Sequence, residues 1–191
     1  MTTPDQSDVS IVDLDVDSLT MMSLDGRLCF HCPLLESPGE SLAGPNWCRV
    51  SSESLQRMVR DERSGVKLAL HADRIVGYGI FGRPALFTRV DHLPFEVDIG
   101  GLLIAALYVT PMAEAAGVDV DLLIEIMGFA REQGYQVVQA VCRPDGVDGP
   151  EGAAQLFSAA GFEVSDPVND KCLARVLVDD WEEPDYESAD E

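Results

Sequence analysis

The sequence predicts an α/β (α+β) fold, in which helices pack on the faces of one mixed sheet. Short apolar runs of strand length alternate with segments whose apolar residues recur at helical spacing. The 191 residues are enough for a substantial core, and no internal repeat or long low-complexity linker divides them. We therefore expect a single domain over residues 1–178, with a Cys-containing N-terminal segment over 1–50. An acidic C-terminal tail follows over 179–191.

The first half of the chain predicts an edge strand, a helix and a hairpin. Apolar residues alternate in SIVDLDV, as in a strand, and a helix around residues 18–22 is left open. SSESLQRMVRDERSG begins with a capping Ser, ends at Gly65 and carries Leu55 and Met58 on one face, so it predicts a helix. VKLALHA and IVGYGIFG predict two antiparallel strands.

The second half predicts a strand that is buried on both faces, followed by helices and strands in alternation. LLIAALYV is apolar almost throughout, which is typical of a fully buried strand. A helix is predicted from about residue 118 to 133, because Leu122 and Ile126 fit its apolar face and Gly134 is a natural stop. YQVVQAVCR predicts a strand, GAAQLFSAAG a short helix, and FEVSD with KCLARVLV a closing hairpin. The predicted order is β-α-β-β-β-α-β-α-β-β.

The charge balance argues against two classes of partner. The chain has 34 acidic residues against 13 basic ones, so its net charge is −21. Such a surface repels nucleic-acid backbones and anionic lipid headgroups, and we expect neither nucleic acid nor a membrane as partner. No apolar run has the length of a membrane span, and the N-terminus lacks the features of a signal peptide. We expect a cytoplasmic protein, and a homodimer is left open.

The five cysteines of the chain argue against a disulfide framework. Cys142 and Cys172 lie in apolar runs and are expected to be buried. Cys29 and Cys32 flank an imidazole in CFHC, and together with Cys48 they are candidate zinc ligands or a redox-active group. A structural zinc site usually has two ligand pairs, and no Cys or His neighbours Cys48. We therefore favour reduced cysteines that line the sheet or the acceptor end of the cleft over a metal site.

Four segments of the sequence, in this order, resemble the GNAT superfamily of acyl-CoA-dependent N-acetyltransferases. RIVGYGIFG is similar to the third strand of that family, and LYVTP to the fourth strand running into the cofactor turn. LLIEIMGFAREQGYQVVQAV is similar to the core helix and fifth strand, and AAQLFSAAGFEV to the short helix before a Gly-Phe pair. The resemblance covers the second half to two-thirds of the chain. It implies a mostly antiparallel central sheet with helices on both faces.

The resemblance also implies a site for acetyl-CoA as co-substrate at the end of LLIAALYV. In the family the fourth strand separates from the fifth, and its backbone pairs with the pantetheine arm of CoA. The matching backbone in this chain belongs to Leu107, Tyr108 and Val109. The pyrophosphate then binds amides at a helix N-terminus, in a turn with the signature Gln/Arg-x-x-Gly-x-Gly/Ala. The residues that match this signature are Glu114, Ala115, Ala116, Gly117, Val118 and Asp119.

Carboxylates replace two residues of that signature. Glu114 stands at the basic or amide position, and Asp119 stands at the final small position. A carboxylate about 6 Å from a phosphate charge costs roughly 2–3 kcal/mol at an effective dielectric near 20, so we expect reduced affinity for acetyl-CoA. Two interpretations stay open. Asp119 caps the helix amides with an anion of the chain itself, or Asp119 and Asp121 are ordinary first-turn acids in solvent.

The catalytic groups of the family have few counterparts in this chain. A Tyr in the short helix often protonates the leaving thiolate, and its counterpart is Phe157, which has no proton to donate. A thiol of pKa about 8.5 leaves readily enough near neutral pH that transfer does not require this acid. As candidate bases for the amine we name Glu96 and Asp98, just before the central strand. Tyr108 is a candidate acid or substrate-orienting residue.

These observations lead to three hypotheses of function. The first is an N-acetyltransferase that moves an acyl group from acetyl-CoA to a primary amine on a small molecule or peptide. A negative acceptor cleft would attract a cationic amine. The second is a GNAT-fold protein with a degenerate CoA site that acts as a non-catalytic binding or regulatory module. The third is a thiol or zinc sensor built on the N-terminal cysteines.

Overall fold

A computed structural model of the protein describes residues 9–18, 30, 32–35, 50, 52–144 and 151–184. Its strands are β1 (Val9–Asp13), β2 (Gly65–His71), β3 (Arg74–Gly82), β4 (Leu102–Val109), β5 (Val137–Cys142), β6 (Glu163–Val164) and β7 (Cys172–Leu177). Its complete helices are α1 (Ser52–Arg60), α2 (Pro111–Glu114), α3 (Val118–Glu132) and α4 (Ala154–Ala159), with short 3-10 turns between some elements. Residues 16–18 are also helical, and the rest of the helix left open around residues 18–22 lies outside the described residues. Among the described residues, no helix is long and apolar enough to cross a membrane.

Within these ranges the strands form one seven-stranded sheet in the order β1-β2-β3-β4-β5-β7-β6. Neighbouring strands run antiparallel, except that β4 and β5 are parallel at the centre. Parallel strands need a crossover connection, which α2 and α3 provide. The class and order of elements confirm the predicted fold, with α2 as an addition. Helix α1 ends at Arg60 rather than at the predicted Gly65, because Gly65 begins β2.

Two apolar cores lie on opposite faces of the sheet, because adjacent residues of a strand point to opposite sides. Ile104 of β4 belongs to the core that α3 and α4 cover, and Leu103 belongs to the core that α1 covers. Leu122 and Ile126 of α3 are completely buried, as the predicted apolar face requires. Helices therefore pack on both faces, which confirms the predicted arrangement.

The C-terminal part of the chain is docked on the first of these cores. Trp181 is buried, and its indole N–H donates to the carbonyl of Ala160 at 2.9 Å. The guanidinium of Arg131 lies over the Trp181 ring, 5.0 Å from its centroid. The packed chain thus reaches at least three residues past the predicted tail boundary at residue 178. Residues 185–191 lie outside the described ranges.

Candidate cofactor cleft

The centre of the sheet contains a gap between the carboxyl-terminal parts of β4 and β5. The two strands pair only over Leu102–Ile104 and Val138–Ala140. Beyond this stretch, β4 stays paired with β3 as far as Val109, whereas β5 stays paired with β7 as far as Cys142. Each strand therefore follows its outer neighbour, and the inner edges of β4 and β5 separate towards their carboxyl ends.

A β-bulge in β4 accounts for this separation. Ile80 of β3 pairs with Ala106, but the next residue, Phe81, pairs with Ile104, so Ala105 is the extra residue. A bulge bends its strand and increases the local twist. Strand β4 is thus bent at the residue that follows its last pairing with β5.

The open end of β4 carries Leu107, Tyr108 and Val109, the residues predicted to pair with a pantetheine arm. Tyr108 stands opposite Tyr78 of β3, with 5.5 Å between the ring centroids. Tyr78 is buried, whereas 38% of Tyr108 is exposed. The Tyr108 ring is therefore supported on one side by packing and accessible on the other.

The segment between β5 and α4 borders the gap from the opposite strand. The amide of Arg143, directly after β5, donates to the carbonyl of Gly152 at 3.1 Å. A Cβ atom at Gly152 would lie 2.8 Å from the Phe157 ring and 3.4 Å from a methyl group of Leu107. The segment thus approaches β4 closely, and a larger residue at position 152 would collide with Phe157.

Phe157 lies beneath the gap in the core. It is completely buried and packs edge-on against Phe162, with 5.3 Å between the ring centroids. The sequence predicts Phe157 as a cofactor-binding residue in the place of a proton-donating Tyr. In this conformation its ring has no surface for a ligand, so it supports the floor of the gap.

The backbone amides in the turn after β4 are satisfied within the turn itself. The five amides of residues 113–117 donate to carbonyls within residues 110–114, over 2.9–3.2 Å. These bonds form α2 and the turn that follows it, and Pro111 is suited to the first helical position. Gly117 then adopts a φ of 76°, a conformation that favours glycine. The part of the predicted pyrophosphate turn up to Gly117 is therefore closed by its own hydrogen bonds.

The carboxyl group of Asp119 lies half-buried at the N-terminus of α3. Burial raises the pKa of Asp119 to about 6, while the backbone amides of Val120 and Asp119 lower it. The nearby charges of Glu114 and Asp121 raise this pKa further. The contribution of the two amides agrees with the interpretation that Asp119 caps its own helix, but burial outweighs them. The ionised carboxyl is therefore held at a cost in free energy.

The same turn carries three carboxylates, and its segment of the sequence supplies no cation. Glu114 is exposed, and Asp119 and Asp121 are half-buried. No Lys or Arg occurs from residue 90 to residue 130. The three carboxylates repel the negative charges of a phosphate group, so the turn disfavours a bound diphosphate.

The structure separates the three residues predicted to be catalytic. Glu96 and Asp98 lie at the closed end of the β4–β5 pair, where the side chain of Gln139 accepts from the Asp98 amide at 2.8 Å and donates to its carbonyl at 3.0 Å. Gln139 stands opposite Leu103. Tyr108 lies five residues after Leu103 on β4, or ~17 Å further along the strand. Only Tyr108 lies at the open end of the gap.

A buried ion pair beside the gap was missed by sequence reasoning. Glu151 is buried, and its carboxylate accepts from the Lys171 ammonium at 2.5 Å. The side chain of Arg143 donates to the Glu151 carbonyl at 2.5 Å. Charged groups therefore also border the gap on the β5 side. No local signal marks Glu151, because its burial depends on a partner 20 residues later in the chain.

Of the three candidate zinc ligands, only Cys32 lies in the part of the chain that the structure describes. Cys32 is completely buried, and Cys29 and Cys48 lie outside the described ranges. Among the described residues, no group of three His, Cys, Asp or Glu side chains is arranged to hold a metal ion. Cys142 and Cys172 are buried, as predicted.

Comparison with known proteins gives similarity in structure only. No protein-family model and no curated protein matches the sequence. A mutant agmatine N-acetyltransferase in its apo form superposes with a TM-score of 0.59 at 17% identity, over 89% of this chain and 99% of the other. A ribosomal-protein-alanine N-acetyltransferase from Brucella melitensis gives 0.55 at 20% identity, over 88% and 99%.

A third similar structure includes the cofactor. It is a protein from Salmonella typhimurium, assigned as an acetyltransferase and solved with acetyl-CoA, with a TM-score of 0.54 at 18% identity over 94% of this chain and 99% of the other. At these identities the likeness concerns the fold. Together with the strand order it shows that the chain has the GNAT fold, which confirms the resemblance found in the sequence.

Proposed function

We propose that this GNAT-fold protein transfers an acyl group from a pantetheine thioester to a primary amine, with acetyl-CoA as the expected donor. The observation that carries the proposal is the gap between β4 and β5 beyond Ile104. An extended arm placed there would pair with the inner edge of β4, as a peptide does when it adds a strand to a sheet. The solved acetyl-CoA complex with the same fold supports this choice of donor.

The proposed reaction is direct attack of a neutral amine on the thioester carbonyl. The C–N bond forms, the C–S bond breaks, the amine loses a proton and the thiolate gains one. We assign Tyr108 to orient the acyl group or to protonate the thiolate, because its exposed ring borders the open end. Asp98 is bonded to Gln139, which stands opposite Leu103, and Leu103 precedes Tyr108 by ~17 Å along β4. We therefore expect the amine proton to leave through water.

The acceptor is proposed to be a cationic amine. The net charge of −21 and the three carboxylates of the turn create a negative field, which attracts cations and raises their local concentration. Proteins of the same fold include an agmatine N-acetyltransferase and a ribosomal-protein-alanine N-acetyltransferase. A small cationic amine and a peptide amine are therefore both suitable test acceptors.

A second candidate function is a non-catalytic binding or regulatory module. The self-bonded amides of residues 113–117 and the carboxylates of Glu114 and Asp119 favour it, because each removes a contact that holds a diphosphate. The buried Phe157 favours it too, since it supplies no acid. This candidate predicts neither acyl transfer nor binding of acetyl-CoA.

The test is an acyl-transfer assay with acetyl-CoA and three amines: agmatine, spermidine and a peptide with an N-terminal alanine. Released thiol and the mass of the acylated amine are measured together. Tyr108→Phe is the matched variant, because it keeps the ring on Tyr78 and removes only the hydroxyl. We expect wild-type product and, in the variant, a kcat about tenfold lower with an unchanged donor KM.

The outcomes distinguish the two candidates. Acylated product that depends on the protein supports the transferase. No product with any of the three amines, together with no binding of acetyl-CoA at millimolar concentration, would refute acyl transfer and favour the non-catalytic module. An unchanged kcat in Tyr108→Phe would remove the assigned role of its hydroxyl.

A further inference from the structure

We infer that the cleft recognises the pantetheine arm of its donor and gains no affinity from the diphosphate, so that a simple pantetheine thioester serves as well as the CoA thioester. This inference rests on the proposed function and specifies its donor class. Three features of the described residues support it: the hydrogen bonds of the turn, its charges, and the exposed apolar side chains on the β4 side of the gap.

The hydrogen bonds of the turn leave few amides for a phosphate. An anion at a helix N-terminus is held by backbone amides that have no partner within the helix. The amides of residues 113–117 all donate to carbonyls of the turn. In α3 the amides of Val120 and Asp121 donate to the Gly117 carbonyl at 3.1 and 3.2 Å. A diphosphate at residues 113–117 would therefore have to break bonds of α2 and of the turn that follows it.

The charges of the turn add repulsion to this lack of donors. Glu114, Asp119 and Asp121 lie within eight residues of one another, and no Lys or Arg occurs from residue 90 to residue 130. At about 6 Å, one fixed carboxylate weakens the binding of a phosphate charge by roughly tenfold once salt screening is allowed for. Two such carboxylates would offset the binding affinity that the diphosphate normally adds to CoA.

The β4 side of the gap suits an uncharged chain, whereas charged groups border its β5 side. Tyr108 is 38% exposed at the end of β4, and Met112 is 37% exposed in α2 directly after it. The inner edge of β4 beyond Ile104 has no strand partner among the described residues. Pantetheine carries two amides and apolar methylene groups, which match an unpaired strand edge flanked by apolar side chains.

The first experiment compares CoA with pantetheine as ligands of the full chain. Ligand-observed NMR titrations at about 50 and 500 mM NaCl give the Kd of each. We expect CoA to bind no more tightly than pantetheine at low salt. High salt should tighten CoA and leave pantetheine unchanged, because it screens a repulsion that only CoA experiences.

The outcomes separate this inference from the proposed function. If CoA binds ten or more times as tightly as pantetheine at low salt, the inference is wrong and the acyltransferase proposal stands. If neither ligand binds, both are wrong. If a test amine is acylated, S-acetylpantetheine should support a kcat/KM within about threefold of that of acetyl-CoA, and a value tenfold lower would overturn the inference.

A pair of charge variants tests the cause. Glu114→Arg changes the charge in the turn, and Glu132→Arg makes the same change at the far end of α3, ~21 Å from its first residue. Both side chains are exposed, so both variants should fold. We expect Glu114→Arg to tighten CoA by about 10- to 100-fold with pantetheine unchanged, and Glu132→Arg to change CoA by less than about twofold. Equal effects of the two variants on CoA would overturn the inference.

Discussion

Replacing Asp119 by Asn should stabilise the folded protein at neutral pH. The substitution keeps the size of the side chain and an oxygen that can cap the helix, and it removes the charge. In the wild type, burial raises the pKa of Asp119 from its ordinary 3.8 to about 6, although the amides of Val120 and Asp119 oppose this change. The folded chain therefore holds an ionised carboxyl group less favourably than the unfolded chain does.

This cost depends on pH in a defined way. Below about pH 4 the carboxyl group is protonated in both states, and it contributes no difference. Between about pH 4 and 6 the unfolded chain releases the proton that the folded chain retains, so the free energy of unfolding falls as the pH rises. Above about pH 6 the full cost remains. The pKa difference corresponds to at most about 3 kcal/mol, and partial exposure to solvent reduces this to about 1–2 kcal/mol.

Urea unfolding of the wild type and Asp119→Asn at about pH 4, 5.5 and 7.5 measures the effect. The two proteins should have equal free energies of unfolding at the lowest pH, and the variant should gain about 1–2 kcal/mol at the highest. Glu132→Gln removes one charge from an exposed position of the same helix and controls for net charge. A variant that is less stable than the wild type at pH 7.5 would mean that capping outweighs burial, which would refute the reasoning.

Two further outcomes concern buried polar groups. Gln139→Leu should lower the free energy of unfolding by about 2–4 kcal/mol, because the Asp98 amide and carbonyl lose their partner; an unchanged urea midpoint would contradict this. Trp181→Phe should cost about 1–2 kcal/mol, because the buried Ala160 carbonyl loses the indole donor. Thermal unfolding measures the second change, and an unchanged Tm would show that Trp181 is not part of the cooperative unit.

Local signals in the sequence were sufficient for helix α3 and strand β4. Helix α3 was expected over about residues 118–133 and spans Val118–Glu132. Its ends are marked by Gly117 and Gly134, whose φ angles of 76° and 71° are positive. Glycine adopts this conformation without strain, so the sequence itself marks both ends of the helix. The continuous apolar run of β4 likewise predicted that this strand is buried on both faces.

Features that depend on residues distant in sequence could not be predicted in this way. The bulge at Ala105 arises from the register between β3 and β4, and no property of an alanine indicates it. The gap was therefore expected only through the resemblance to a known family. The same limit applies to Gln139, whose bonds to Asp98 join segments 41 residues apart. Helix α2 was missed because its four residues are too few to show a helical period.

In the turn after β4, the fold explains Gly117 but not Asp119. The GNAT fold needs a sharp connection from β4 to α3, and Gly117 meets that need whatever binds there. A carboxyl group at position 119 is not explained by folding stability, because burial makes its ionised form unfavourable. A site for the CoA diphosphate does not explain it either, because like charges repel. Strands β4 and β5 nevertheless do not pair beyond Ile104. An unpaired edge of β4 beside a turn that opposes phosphate is the arrangement expected of the proposed acyltransferase, which recognises only the pantetheine arm of its donor.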